Sequence, residues 1–208
     1  MTSEPLLVTF VASARGAWSI VSIRSVVGPG LPPAGGLTVF EGQAPVDAAA
    51  DVAWSLRGVV SNERYVNRAE RAQLEARQQG LGRPDSTAAV LIPIRKAARW
   101  WQLTQDERRD IFEERSHHIR IGIDALPAVA RRLHHSRDLG GPFDFLTWFE
   151  FVPAQVEVFE EVLAGLRASV EWTYVEREVE IRLTRPRPSR ASRSSTISKI
   201  GPTRSGDR

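Results

Sequence analysis

The chain has 208 residues, 42% of them hydrophobic and 25% charged, enough for one mid-sized domain with a buried core and too apolar for disorder to be the default. It contains no cysteine, which excludes disulfides, thiolate metal sites and thiol nucleophiles. The formal net charge of +3 hides two regions of opposite sign: residues 184–208 hold seven Lys or Arg against one acid, a net +6, which leaves residues 1–183 at −3.

No apolar run reaches the roughly 18 residues of a membrane span. Glu4 precedes the short apolar stretch 6–12, where a secretory signal would need a basic start and a longer block, so that stretch reads as a strand and the expected location is cytoplasmic. Loose alternation predicts strands over 18–27 and 52–60, with a Gly/Pro-rich loop at 27–36 between them. A helix is expected over 68–80, ending at Gly80. The apolar run 87–95 has strand length, and Pro93 in it argues for an edge or a bulge.

Thr104 and Glu107 form a capping box that opens a helix running to about Gly122. Asp124 and Pro127 then mark a second helix, to about His135. The strongest strand is 143–151, with Phe143, Phe145, Thr147, Phe149 and Phe151 on one face and Leu146 and Trp148 on the other. From 153 to 168, Val156, Phe159, Leu163 and Leu166 recur at helical spacing behind the helix starter Pro153. Val175, Val179, Ile181 and Leu183 alternate with Glu176, Glu178, Glu180 and Arg182, which reads as a strand with one wet face. This order of elements predicts an α+β fold, an antiparallel sheet with helices on one face. The Pro/Ser/Arg tail cannot bury enough surface to offset its ordering entropy and is expected to be disordered. Without interleaved aromatics it reads as a solvated appendage rather than a nucleic-acid arm.

The histidines come as two adjacent pairs, His117–His118 and His134–His135. A catalytic zinc needs about three protein ligands, and neighbours on a helix diverge by about 100°, so one pair rarely serves one ion. Haem iron needs only one histidine from the protein. Surface or helix-end placement of all four is the competing reading. Arg131 and Arg132 are either solvated or buried facing an anion. Glu171, between Val170 and Trp172, is either a structural carboxylate or a partner for a metal-bound imidazole. The pair Trp100–Trp101 is either core or cofactor wall. No Gly-rich phosphate loop, Gly-x-Ser-x-Gly elbow or His-Glu-x-x-His motif occurs.

The run IPIRKAARWWQLTQDERRDIFEERSHHIRIGIDALPAVARRLHHSRDLGGPFDFLTWFE (92–150), followed by EWTYVEREVEIRL (171–183), resembles the chlorite dismutase family, most closely its short-chain, dimeric branch. The likeness reaches back through GAWSIVSI (16–23) and LRGVVSNERYVNRAE (56–70). The resemblance implies a dimeric α+β barrel of ferredoxin-like units: a strand-rich half over 1–60, a haem-binding half over 61–183 and the tail 184–208 outside both. It implies haem b as cofactor, the chlorite anion as substrate and chloride and dioxygen as products, in a homodimer with no membrane association.

Residue by residue, the family's proximal histidine falls on His118, rather than His117, and its distal arginine on Arg131. The carboxylate partner of that histidine falls on Glu171 and the lysine linked to it on Lys96. Trp100, Trp101 and Ile94 match haem-contacting positions. Thr147 and Phe149 match distal-side residues, and Tyr65 a tyrosine near a propionate. His134 and Ser136 depart from a frequent tyrosine and cysteine, at positions that are not ligands. Coproheme decarboxylases resemble this pattern but lack the distal arginine. Dye-decolourising peroxidases carry a Gly-x-x-Asp-Gly motif that is absent here. A haem carrier or sensor without turnover is the remaining alternative.

Overall fold

The computed structural model describes residues 6–44, 51–61, 66–77 and 80–187. Eight strands, β1 (Leu7–Ser13), β2 (Trp18–Val27), β3 (Gly36–Glu41), β4 (Trp54–Val60), β5 (Ala88–Lys96), β6 (Val129–His135), β7 (Phe145–Phe151) and β8 (Val175–Thr184), close an antiparallel barrel in the order β1-β3-β2-β8-β5-β7-β6-β4. Five α-helices accompany them: α1 (Arg68–Arg77), α2 (Ala98–Gln102), α3 (Gln105–Arg109), α4 (His118–Asp124) and α5 (Val156–Arg167). In the second half, α2 to α4 link β5 to β6 and α5 links β7 to β8, a βαββαβ unit of ferredoxin type. The first half repeats its strand order without helices between strands. Two seams join the halves: β2 pairs with β8 from Ser19↔Thr184 to Val27↔Glu178, and β4 with β6 at Val59↔His135 and Val60↔His134.

Strand alternation sorts the apolar residues into two layers. Phe10, Trp18, Leu37, Leu146, Trp148 and Ile181 fill the barrel interior. Val90, Ile92, Phe149, Phe151, Phe159 and Leu163 form a second layer, between the outer face of β5 and β7 and helix α5. Strand β5 is apolar on both faces because both are covered, hence its unbroken run. Phe159 anchors the outer layer, stacked on Phe151 at 4.9 Å and edge-on to Phe149 at 5.3 Å. Burying such a ring contributes about 1.5–3 kcal/mol.

Several expectations are corrected. Residues 129–135, expected to be helical, form β6. Leu126, Val129, Ala130 and Leu133 imitate helical spacing, but long-range pairing with β4 and β7 outweighs that local pattern. Both histidines of that segment are buried, so His134 and His135 are neither surface nor helix-end residues. The helix expected from Thr104 to Gly122 keeps its capping box but is broken by a π-turn at Asp110–Glu114 and a left-handed His117 (φ 52°) before α4 starts. Strand β3 begins in what reads as loop.

Pro93 lies in an inner strand, paired with Leu146 of β7, at a point where the β5–β8 pairing lapses, and a closed barrel has no edge to offer it. Phe143 precedes β7 and packs with the barrel interior, away from the face of Phe145 and Thr147. The face of β8 expected to be wet is exposed at its start, at Glu176, but dry at its centre, where Glu178 and Glu180 are 0% and 2% exposed. Arg167 of α5 pairs with both, and Arg24 of β2 and Arg182 complete the shell of Glu180. Burial raises the Glu180 pKa, but the hydrogen bonds from Arg167, Arg182 and Arg24 outweigh it and hold it near 2.

Strand β8 runs to Thr184, and Arg185 beyond it stacks on Trp18 at 4.3 Å. The tail from 188 lies outside the described residues. No described helix is long and apolar enough to cross a membrane.

Candidate functional site

Between the outer face of β5, β7 and β6 and the helices α4 and α5 lies a cavity of about 930 Å³, measured with its open mouth. The sheet supplies Ile92, Ile94, Phe145, Thr147, Phe149 and Arg131 as its floor. Alternation puts Arg131 and Leu133 on this face of β6 and His134 in the barrel interior, edge-on to Phe10 at 5.1 Å. The opposite wall carries His118, Gly122, Val162 and Leu166.

His118 is the first residue of α4, and the irregular backbone before it has a positional consequence. The π-turn and the left-handed His117 end one helix axis and begin another, so His117 is exposed while His118 faces the cavity. Glu113, inside the π-turn, accepts the Ile119 N–H at 2.7 Å and satisfies one free donor of the new helix. Phe112 stacks on the His118 ring with centroids 4.2 Å apart.

His118 Nδ1 lies 2.6 Å from Glu171 Oε2, and Glu171 Oε1 lies 2.6 Å from Lys96 Nζ. Glu171 and Lys96 are both buried. Each is tied down on its backbone: Glu171 N–H donates to Ser116 Oγ at 2.9 Å and Lys96 N–H to Asp144 Oδ2 at 2.7 Å. Burial pushes the Glu171 carboxyl up, but the Lys96 charge and then His118 outweigh it and hold its pKa near 2. A permanent carboxylate on Nδ1 fixes the proton there and leaves Nε2 as the nitrogen able to ligate a metal from the cavity side. Lys96 Nζ also sits 4.7 Å from the Trp100 ring and 5.5 Å from the Trp172 ring. The indole N–H of Trp100 is buried at the cavity wall with no hydrogen-bond partner among the described residues.

Arg131 is half-buried, and burial lowers its pKa without removing its charge, because a guanidinium stays protonated in proteins. The cavity thus combines an apolar lining, one imidazole held by a buried ion pair and one guanidinium. That set can ligate a metal centre through Nε2 and attract a small anion beside it.

Of the residues expected at the site, His118, Arg131, Glu171, Lys96, Trp100, Thr147, Phe149 and Ile94 line this cavity. Trp101 does not: it stacks behind Phe145 at 6.0 Å, with the Arg137 guanidinium 3.7 Å over its ring. Tyr65 lies outside the described residues. Phe112, Gly122 and Trp172 are among the further lining residues that sequence reasoning did not place at the site. Only the position of Trp172, next to Glu171, could have suggested it. No group of three or more His, Cys, Asp or Glu that could hold a metal ion occurs among the described residues.

A family model described as chlorite dismutase matches residues 40–186. The chlorite dismutase of Ideonella dechloratans is 31% identical over 103 residues, covering 49% of this chain but only 35% of that protein. A dimeric chlorite dismutase from Nitrobacter winogradskyi superposes with a TM-score of 0.79 at 52% identity, over 86% of this chain and 99% of the other. The chlorite dismutase of Candidatus Nitrospira defluvii in complex with imidazole, at 18% identity over 88% of this chain and 93% of its own, shares the fold with a TM-score of 0.63. The chain belongs to the chlorite dismutase family.

Proposed function

We propose that this protein is a haem b enzyme that converts chlorite into chloride and dioxygen, acting as a homodimer. The observation that carries the reading is one cavity holding both the buried Lys96–Glu171–His118 chain and the Arg131 guanidinium. The residues present fit a haem. The lining is mostly apolar, as that of a cofactor pocket is. The unpartnered indole N–H of Trp100 also has use for an acceptor, such as a haem carboxylate. The dimeric Nitrobacter relative, 52% identical, supports the homodimer.

Haem bound here would supply the redox chemistry. His118 would hold the iron through Nε2. Glu171 accepts the hydrogen bond from Nδ1–H and thereby raises the basicity of the ligating nitrogen. Lys96 keeps Glu171 ionised in a site where burial alone would favour the neutral acid. Arg131, charged and partly desolvated, draws the chlorite anion in and opposes the escape of hypochlorite, the anion left when chlorite gives up one oxygen atom, before chloride and dioxygen form. A distal arginine also favours chlorite chemistry over coproheme decarboxylation, whose enzymes resemble this one but lack it.

Dioxygen evolution on adding chlorite to the haem-loaded protein, followed with an oxygen electrode, tests the reaction directly. Stoichiometric release is expected. No release, with a Soret band present, would overturn the activity and leave a haem protein of this fold. Arg131→Ala is expected to keep haem, leak hypochlorite and inactivate faster. An unchanged turnover number without leakage would remove Arg131 from its role.

A further inference from the structure

Phe112 and His118 stand on one stretch of chain, and an unbroken helix would keep them apart. Over that spacing a helix rises about 9 Å and leaves the two side chains about a third of a turn apart. They meet because the backbone between them is irregular. The π-turn Asp110–Glu114 and the left-handed His117 bring the Phe112 ring over the face of the His118 imidazole, with centroids 4.2 Å apart and planes 20° from parallel. The ring also packs against the cluster of Leu74, Ile119, Ile123 and Leu126, which braces it. A π-turn is rare and recurs at functional sites, so this one calls for a reason.

Two torsions hang an imidazole on its backbone, and the outer one is broad. The hydrogen bond from Nδ1–H to Glu171 aims the ring along one line and leaves its plane free to swing about that line. A flat ring against the face removes the swing. The lone pair of Nε2 lies in the imidazole plane, so a ring over the face stays out of the ligating direction.

We propose that Phe112 is a positioning residue: it sets the plane of the His118 imidazole, and so the angle of that plane to a haem held through Nε2, while Glu171 sets the direction of the ring. A ligand whose plane is preset gives up less freedom when haem binds. This inference rests on the reading of His118 as the haem ligand.

Wild type, Phe112→Leu, Phe112→Tyr and Ile123→Val are loaded with ferric haem and saturated with cyanide. Leucine keeps apolar bulk against the cluster without a flat face, and tyrosine restores the face. Ile123→Val trims the same cluster at a residue that does not line the cavity. Proton NMR of the haem methyl groups reads the imidazole plane, because unpaired spin from the iron spreads over the macrocycle according to the angle of that plane. Haem retention is measured separately, by transfer to apomyoglobin. Phe112→Leu is expected to change or broaden the methyl pattern and to lose haem roughly two- to tenfold faster. Phe112→Tyr and Ile123→Val are expected to match wild type. Should Phe112→Leu fail to fold, Phe112→Met carries the same expectation.

A wild-type methyl pattern in Phe112→Leu would overturn the proposal, and faster haem loss beside that pattern would make Phe112 a wall of the pocket only. An equal change in Ile123→Val would trace the effect to general packing and overturn it too. So would a Phe112→Tyr pattern that follows Phe112→Leu rather than wild type. A wild type that takes up no haem sinks the functional reading and this inference with it, whereas a normally loaded wild type beside an unaltered Phe112→Leu sinks this inference alone.

Discussion

The two halves of the barrel repeat one strand order and differ in what connects the strands. In the first half, β1 passes to β2 through residues 14–17 with no helix, and the outer face carries exposed Ser19, Val21, Ser55 and Arg57. In the second half, the chain between β5 and β6 carries three helices and a π-turn, and that between β7 and β8 carries α5. The cavity exists only where those crossovers stand off the sheet. The strands of both halves make an equally closed barrel, so what sets the second half apart is the crossover segments that wall the cavity over its strands.

The largest expected effect tests the charge stored in the second half. Glu171→Ala leaves Lys96 buried without its carboxylate, at a cost of about 3–5 kcal/mol in urea denaturation of the apoprotein. Breaking the exposed Arg71–Glu75 pair by Glu75→Ala should change stability by less than about 0.5 kcal/mol. Equal effects would show that the buried pair is no different from a surface one.

A second test bears on His134, which belongs to the second half but packs on Phe10 of the first. Burial pushes its pKa down to about 4, opposed by the hydrogen bond to the Leu146 carbonyl and aided by the charge of Arg132. Folding therefore favours the neutral ring. Between about 6.5 and about 4 the unfolded chain binds the extra proton, so the stabilisation is complete above the unfolded pKa and is lost as pH falls towards 4. The loss amounts to roughly 3 kcal/mol over that window. His134→Phe should flatten the stability profile between these limits, and an unchanged slope would place the acid sensitivity elsewhere.

A smaller change is expected at the entry to α4. His117 holds a left-handed conformation that glycine adopts without penalty, so His117→Gly should gain about 0.5–1 kcal/mol in thermal denaturation. Haem retention should stay as it was, since His117 is exposed and does not line the cavity. A loss of stability would mean that the imidazole makes a contact worth more than the backbone relief.

The smallest effect belongs to the bare half. Val21 is 67% exposed, and Val21→Lys should alter stability by no more than about 0.5 kcal/mol. A larger loss, with a shift in sedimentation towards monomer, would show that this face is covered in the assembled protein and that the halves differ less than the single chain suggests.

The sequence alone determined the elements whose patterns are local. Strands β1, β2, β4, β5, β7 and β8 and helices α1 and α5 all lie within a few residues of where alternation, helical spacing, glycine and proline place them. The capping box at Thr104 is present as read. His118, Arg131, Glu171 and Lys96 were legible only through the family resemblance, because no spacing rule brings a helix start, two strand residues and a short 3₁₀ turn together.

What the tertiary structure decided is of a different kind. Segment 129–135 became a strand because β4 and β7 offered it ladders that its helix-like spacing could not match. Glu178 and Glu180 became buried because arginines distant in sequence, Arg24 and Arg167, arrived to pair with them. Gly122 came to face Arg131 only when β6 carried that side chain across from it. Local backbone preference is written in neighbouring residues, whereas charge compensation and close approach depend on partners that the chain supplies only after it has folded.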